Sequence, residues 1–484
     1  MKTLRYILIT ALCFVLIFSM CSCSLLDHLV DRFFGDNTEE TTTQNPDEPK
    51  KPVITDADSL FDAILQASDN TKQVDVTGKM NVKLTYMGET IGVTGTYKLI
   101  STDKDGDNPY YYTETETSVT ALDETTTTTG VTAYYNGNAY VSNSEHNSYM
   151  YAPMTPEEFT DFIASDTSEE DILPEVKKAS QMEYKEQKDG NWTLKFSGYS
   201  KKSLNKFLNK FASDSDFGDM FEFVDIEWSF VADKDFRIKE MNLSFILDED
   251  ESAEGDTFTV SYTDIKYDDI TLITKPFQGT QYKKVDDLKI LKTIEKHFDD
   301  FEEAESGSFT SQIKATYKYA GETDTMDEYT EASFGTDQNG YYFAINMTMG
   351  SGLTLQKMTM NYKNGKCTVT VDEESYEETY TEKEAKEIVS NILGQLIVNT
   401  DAISDIKVKE SNNGTQYTLT STVSGEEVES VFEKITQATQ TIIVTVADGK
   451  IISIDTTAAL QGTIDTGSGY ENMSISTKSI VTFS

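Results

Sequence analysis

The chain has 484 residues, a formal net charge of −42, three histidines and four cysteines. A surface this acidic repels phosphate backbones and anionic headgroups, so we expect no nucleic-acid partner and no electrostatic docking to membranes. The content of 38% hydrophobic and 11% aromatic residues is too high for a disordered chain. The length is enough for two or three folded domains.

The chain opens with a secretory leader. Lys2 and Arg5 precede an apolar run, Ile7–Met20, that is shorter than the roughly 20 residues needed to span a bilayer. The leader ends in Met20-Cys21-Ser22-Cys23, which resembles a bacterial lipobox. Cys23 fits the lipidated position better than Cys21, because the small Ser22 precedes it whereas the bulky Met20 precedes Cys21.

The lipobox resemblance implies a signal peptide over residues 1–22 and a diacylglycerol thioether on Cys23. Two acyl chains hold a protein on a membrane where a single chain gives only marginal binding. The polar stretch Asp36–Pro52 is typical of a solvated linker, so we interpret 23–54 as the lipidated cysteine and its tether. The expected location is the cell membrane, lipid-anchored, on the extracytoplasmic face. The alternative is an ordinary secreted protein with an incidental cysteine.

A helix and a series of strands are predicted after the tether. Asp56–Asn70 has apolar residues at helical spacing, with Asp56 or Asp58 placed to cap its start. Val74–Val141 alternates with a period of two, which is typical of antiparallel strands with one wet face. Asn136-Gly137 then predicts a tight hairpin turn, because its type I′ geometry needs positive φ at both central residues.

The next elements are a capped helix and further strands. Thr155-Pro156-Glu157-Glu158 forms a capping-box pattern before an apolar helical pattern. A hairpin over Gln181–Ser197, a helix over Ser200–Phe211 and several strands over Ile226–Ile270 complete the first half.

The second half repeats this order. Asp286–Glu305 answers the first helix, Asn364-Gly365 answers the hairpin turn, and Thr381-Glu382-Lys383-Glu384 answers the capping box. A further capping box is predicted at Ser424-Gly425-Glu426-Glu427. We interpret the chain as two homologous domains, 55–280 and 281–484.

The motifs "Tyr-Tyr-Asn-Gly-Asn-Ala-Tyr-Val" and "Ala-Pro-Met-Thr-Pro-Glu-Glu-Phe", behind a lipobox and a tether, resemble the LolA and LppX-like lipoproteins and their Gram-positive relatives. The resemblance covers both halves. It implies an α+β fold of two tandem domains, each a large curved antiparallel β-sheet, or half-barrel, with helices packed on its concave face. It also implies an apolar hollow for acyl chains, although fold is implied more strongly than ligand.

Catalytic and metal-binding patterns are absent from the sequence. The three histidines are scattered: His28 near the anchor, His146 in a polar loop and His297 on a predicted helix surface. A turn rich in aspartate lacks the bidentate glutamate of an EF-hand and is interpreted as solvated; it contains Asp103, Asp105 and Asp107. We therefore expect no enzyme, no cofactor and no metal. Cys367, on a predicted strand, is interpreted as a small buried hydrophobe.

These patterns favour a non-enzymatic, membrane-anchored lipoprotein that binds a lipid or other apolar ligand. The alternative is a surface structural or protein-interaction module whose sheets are filled by their own side chains. The sequence assigns no ligand-binding residues and no protein partner. Because Tyr134, Tyr135 and Tyr140 make the first copy the more aromatic one, it is the place where we would look for the ligand.

Overall fold

The structure is a computed structural model. It describes residues 52–69, 71–86, 89–102, 108–121, 124–163, 176–204, 223–247, 256–278, 281–302, 304, 306–338, 340–351, 354–372, 374–394, 396, 398–422, 434–465 and 470–484. The chain divides into two compact units, one of Met1–Glu145 with Pro153–Thr280 and one of His146–Ala152 with Gln281–Ser484. The extent of two homologous domains, 55–280 and 281–484, stays a prediction.

Most of the described residues lie in two large sheets. The first sheet has 12 strands, which are β1 (Val74–Tyr86), β2 (Glu89–Thr102), β3 (Tyr110–Ala121), β4 (Glu124–Tyr135), β5 (Asn138–Asn143), β6 (Ser148–Pro153), β7 (Gln181–Glu186), β8 (Trp192–Ser197), β9 (Phe223–Ala232), β10 (Ile238–Leu247), β11 (Thr257–Lys266) and β12 (Lys283–Lys284). Every neighbouring pair with a recorded register in this sheet is antiparallel except β12 with β6.

The second sheet has 11 strands. They are β13 (Ser306–Tyr319), β14 (Glu322–Asp337), β15 (Gly340–Ser351), β16 (Thr354–Lys363), β17 (Lys366–Val371), β18 (Glu374–Thr379), β19 (Ile403–Ser411), β20 (Gly414–Thr422), β21 (Lys434–Ala447), β22 (Lys450–Asp465) and β23 (Tyr470–Phe483). These pairs are all antiparallel.

The two sheets repeat one strand order. The first runs β12-β6-β5-β4-β3-β2-β1-β11-β10-β9-β8-β7, and the second runs β18-β17-β16-β15-β14-β13-β23-β22-β21-β20-β19. Each strand of the second sheet occupies the place of the first-sheet strand whose number is lower by twelve, so that β13 corresponds to β1 and β23 to β11. The two-residue strand β12 of the first sheet has no counterpart in the second sheet. In both sheets the first strand therefore pairs with the last, as β1 does with β11 and β13 with β23.

The described α-helices are α1 (Ala57–Asp69), α2 (Pro156–Ile163), α3 (Lys289–Glu302) and α4 (Glu382–Gly394). Short 3₁₀ turns occur at Lys275–Gln278 and Thr400–Ala402. None of the helices in the described ranges is long and apolar enough to cross a membrane.

The predicted α+β class is wrong, because the fold is mostly β, and so is the prediction of helices packed on a concave face. The described helices are few and short, whereas strands of 10 to 16 residues such as β13 and β22 dominate each sheet. Helical periodicity located these four helices correctly. It did not reveal how far the strands extend, which depends on pairing between distant segments such as β1 and β11.

Both predicted hairpin turns are confirmed. Asn136 and Gly137 have φ of 50° and 73°, and Asn364 and Gly365 have φ of 55° and 80°. These are the left-handed conformations that Asn and Gly adopt at low cost.

Two of the three predicted capping boxes are also confirmed. The backbone N–H of Glu158 donates to Thr155 Oγ1 over 3.2 Å, and the backbone N–H of Thr155 donates to Glu158 Oε2 over 2.9 Å. Thr381 and Glu384 repeat this exchange over 3.2 and 2.6 Å. The cap predicted at Ser424 lies outside the described residues, as does most of the helix predicted over 200–211.

Helix α1 begins at an aspartate cap and anchors an aromatic core. Asp56 Oδ1 accepts the Ser59 N–H over 2.7 Å, and this backbone hydrogen bond lowers the pKa of the Asp56 carboxyl. Phe61 is fully buried, with its ring centroid 5.2 Å from that of Phe196 and 5.7 Å from that of Phe230. These contacts hold α1 on strands β8 and β9.

Candidate ligand-binding face

Cys23, the one site residue assigned from the sequence, lies outside the described residues. The leader, most of the tether, His28 and the turn containing Asp103, Asp105 and Asp107 lie outside them too. Within the described ranges, no group of three or more His, Cys, Asp or Glu is placed to hold a metal ion.

Tyr134 is covered by the helix that follows its hairpin. Its hydroxyl donates to the carbonyl of Met154 over 3.0 Å, and its ring centroid lies 5.1 Å from that of Phe159 on α2. Burial, followed by the nearby charge of Glu158, raises the pKa of this phenol. Tyr362 donates the corresponding hydrogen bond to the carbonyl of Tyr380 over 3.5 Å. The tyrosine at this position therefore links its strand to the start of the following helix in both sheets.

Tyr135 and Tyr140 pack on the chain's own 3₁₀ turn. The ring centroid of Phe277 lies 5.5 Å from that of Tyr135 and 4.4 Å from that of Tyr140. Tyr110 joins them by donating its hydroxyl to the carbonyl of Ile273 over 2.7 Å. The tyrosines that made the first copy a candidate therefore take part in internal packing.

The apolar face of the first sheet is filled. It is defined by side chains that share one face through direct cross-strand pairing, namely Met80, Val82, Val93, Phe245 and Phe258. All five are buried, and the rings of Phe245 and Phe258 stack with centroids 4.4 Å apart.

On strands β3 and β4 this same face becomes polar and small. Thr113 and Thr117 are buried, and Thr113 donates its hydroxyl to the carbonyl of Thr132 over 3.1 Å. Gly130 lies opposite Thr115, and a Cβ atom on Gly130 would meet Thr115 Oγ1 at 3.2 Å. Threonine and glycine therefore leave little space here for larger side chains.

Methionines occupy the corresponding places in the second sheet. We call Met347, Met349, Met358 and Met360 the methionine platform. Met347 lies directly opposite Met358, and residues two apart on a strand share a face, so all four project from the same side. Three of them are half-buried, and Met349 is 37% exposed. Two Met-Thr-Met triplets in the sequence were the signal for this feature, and our sequence analysis missed it.

The correspondence between the sheets follows from the two hairpin turns. Tyr134 and Tyr362 each lie two residues before their Asn-Gly turn. Going back along the strand on the same face, the next residues in the first sheet are Thr132 and Gly130. The corresponding residues in the second sheet are Met360 and Met358. Their partners across the strand pairs are Thr113 and Thr115 in the first sheet and Ile345 and Met347 in the second. Thr117 corresponds in the same way to Met349.

The methionine platform extends the apolar face of the second sheet. Phe309, Ala332, Ile345 and Val369 on that face are buried, whereas the platform beside them is only partly covered. Met326 and Ile313, on β14 and β13, continue the half-buried apolar surface. The result is an apolar area that the described part of the chain leaves open.

Polar groups border the methionine platform. Thr330 lies opposite Met347 and donates its hydroxyl to Glu328 Oε1 over 3.4 Å. Glu328 lies opposite Met349 and is half-buried. Ser311 lies opposite Thr330 on the other side, and its buried Oγ has no hydrogen-bond partner within the described part of the chain. The platform thus combines apolar side chains with a carboxylate at its edge.

His297 is half-buried in an aromatic cluster and does not lie on an open helix surface. Its ring centroid lies 4.6 Å from that of Phe483 and 5.9 Å from that of Phe301. Burial lowers the pKa of this imidazole, and the nearby charge of Asp300 offsets part of that effect.

Cys367 is fully buried, as predicted, on β17 opposite Tyr362. Burial, with the neighbouring charge of Glu378, raises the pKa of its thiol. A raised pKa keeps the sulfur protonated, which is the opposite of what a nucleophilic cysteine requires.

No protein-family model and no curated protein matches this chain. Among solved structures it is similar to a DUF1329 family protein from Desulfovibrio piger, at 12% identity over 40% of this chain and 89% of that one, with a TM-score of 0.17. It is also similar to a LolA superfamily protein from Nitrosomonas europaea, at 10% identity over 40% of this chain and 90% of that one, with a TM-score of 0.15. At such values these likenesses carry no argument about the site.

Proposed function

We propose that this protein is a non-enzymatic lipoprotein, anchored through Cys23 on the extracytoplasmic face of the cell membrane, that binds a lipid or other apolar ligand on the second sheet. The observation that carries the proposal is the half-open methionine platform beside a buried apolar face. Ligand sites are mostly apolar surfaces with a few polar groups that orient the ligand, and Glu328 and Thr330 supply such groups here.

Methionine suits this role because its flexible, unbranched side chain adapts to irregular apolar partners. Transfer of apolar area from water contributes about 25 cal/mol per Å², so an acyl chain laid on the platform gains affinity in proportion to the area it covers. The acidic surface of the chain disfavours anionic headgroups in bulk solution. A neutral or cationic amphiphile is therefore the favoured class.

Lipid extraction and uptake test the proposal. The chain is produced without its leader and with Cys23→Ser, extracted with organic solvent to identify co-purifying lipid, and titrated with a fluorescent fatty acid ester after lipid removal. We expect saturable uptake. Met347→Glu should weaken it by about tenfold or more, because a buried carboxylate is costly beside an apolar ligand.

Asn346→Glu is the matched control, since Asn346 is exposed on the opposite face of the same strand. It adds the same charge and should leave uptake unchanged. The absence of both co-purifying lipid and saturable uptake would reject the carrier function.

The second candidate is a surface structural or interaction module. The filled apolar face of the first sheet favours it, because that sheet packs on its own side chains. Under this hypothesis neither sheet takes up the fluorescent lipid, and both variants bind as little as the parent chain.

A further inference from the structure

The methionine platform brings four thioether sulfur groups to one small area. Direct cross-strand neighbours in a sheet have Cβ atoms about 4.5–5.5 Å apart, and diagonal neighbours about 7–8 Å. Met347 and Met358 are direct neighbours, while Met349 and Met360 flank them along their strands. Because a methionine side chain has three rotatable bonds, the sulfur atoms of Met347, Met358 and Met349, the diagonal neighbour of Met358, can converge on one point. Met360 lies at the other end of the platform, about 13 Å from Met349 along the strands, which is too far for both sulfur atoms to reach the same ion.

Thioethers are soft, neutral ligands. Soft sulfur ligands select Cu(I), whereas carboxylate and carbonyl oxygens suit hard ions such as Mg²⁺ and Ca²⁺. Isoleucine or valine would serve a purely apolar face equally well, and Ile345 and Val369 do so in the neighbouring buried positions. The chain instead places methionine at two successive same-face positions on each of two paired strands, which brings several thioethers close together.

We propose that Met347, Met349 and Met358 bind one soft monovalent ion, Cu(I) or its analogue Ag(I), through their sulfur atoms. The half-buried Glu328 carboxylate, opposite Met349 in register, offsets the charge that the neutral thioethers leave on the ion. The acidic chain also raises the local concentration of cations. The site does not depend on lipid binding.

The site belongs to the second sheet. The corresponding positions of the first sheet hold Thr115, Thr117, Gly130 and Thr132, which offer no sulfur. The partial exposure of the methionine platform provides access for an ion, whereas the methionines of the first sheet such as Met80 and Met241 are buried.

The test is a titration of the mature full chain carrying Cys23→Ser. Cu(I), kept reduced with ascorbate, is competed against a coloured Cu(I) chelator, and Ag(I) binding is followed by calorimetry. We expect one ion per chain. The double variant M347L/M358L should weaken binding by about tenfold or more, since each tenfold corresponds to the loss of only about 1.4 kcal/mol of ligation.

The double variant M80L/M241L is the matched control, because it removes two methionines from the first sheet. It should bind as the parent does. Methionine-to-leucine exchange nearly conserves volume, so both double variants should fold, and far-UV circular dichroism verifies this. If M347L/M358L fails to fold, M347L/M349L replaces it. Binding that is unchanged in the folded platform variant would overturn the proposal.

Two further measurements exclude other ligands. Cys367→Ser should leave the affinity for the ion unchanged. A loss of affinity in Cys367→Ser would assign the ion to the thiol. Affinity should also stay constant between about pH 5 and 8, because thioethers carry no proton, whereas thiolate and imidazole sites release protons on binding. Lipid uptake should survive M347L/M358L, since leucine keeps the apolar area, so the two proposals fail separately.

Discussion

The two sheets share a strand order, but they fill one corresponding region in different ways. In the first sheet that region holds Thr115, Thr117, Gly130 and Thr132, of which Thr117 is buried and the other three are half-buried. In the second sheet it holds the methionine platform, which is half-open. The comparison shows that a single strand order accommodates small polar or large apolar side chains at corresponding positions, and that burial differs most at one position, where Thr117 is buried and Met349 is 37% exposed.

The largest effect is expected for a substitution in the filled core of the first sheet. Phe61→Ala should lower the free energy of unfolding by about 3–5 kcal/mol, because it leaves a cavity between Phe196 and Phe230. Urea unfolding followed by tryptophan fluorescence measures this effect, since the chain's two tryptophans, Trp192 and Trp228, both lie in the first sheet.

Val53→Ala is the control for Phe61→Ala, because Val53 is 81% exposed. It should leave the unfolding midpoint in place. A cost for Phe61→Ala below about 1 kcal/mol, typical of an average substitution, would contradict the filled core.

An intermediate effect is expected when side chains are exchanged between the two regions. Thr117→Met should cost about 1–3 kcal/mol, because the buried site cannot accept extra volume without strain. The reverse change, Met349→Thr, should lower the free energy of unfolding by only about 0.5 kcal/mol, since Met349 is 37% exposed. Urea titrations by fluorescence and by far-UV circular dichroism measure the two costs. Equal costs would show that the two regions are packed alike.

The smallest effect concerns the pH dependence of stability and arises from His297 on α3, which packs on strand β23 of the second sheet. Burial lowers the folded-state pKa of His297 below the ordinary histidine value of 6.5, so below pH 6.5 the unfolded chain binds more protons than the folded chain. Stability should therefore rise with pH from the lowered pKa up to 6.5 and gain nothing from this group above it.

His297→Phe should flatten this pH dependence, as measured from urea midpoints by circular dichroism at pH 5 to 8. Lys296→Gln, on the exposed side of the same helix, should keep the slope of the parent chain. A slope that persists in His297→Phe would assign the pH dependence to other groups.

Several local features were predictable from the sequence. Asn136-Gly137, Asn364-Gly365 and the Thr155 and Thr381 caps form as expected, because a turn or a cap depends on residues only a few positions apart. The start of α1 at Asp56 follows from the same kind of local hydrogen bond. The burial of Cys367 was also predicted, from its place on an apolar strand.

The candidate site was predicted less well, because the sequence analysis favoured the aromatic first copy. Tyr134 and Tyr140 are apolar enough to attract a ligand, yet Phe159 and Phe277 cover them. Which aromatic side chains are covered depends on segments far away in the chain, such as the turn at Lys275–Gln278. The two Met-Thr-Met triplets were visible, but only the strand register shows that they face each other.

The sequence by itself determined the turns, the caps, the positions of the helices and the repetition of their order, since each rests on short-range geometry. Only the tertiary structure decided that the fold is mostly β and that β1 pairs with β11 and β13 with β23. It alone decided which face of each sheet is filled. Pairing between distant strands and the packing of their shared face are set by many residues together, and no local pattern encodes them.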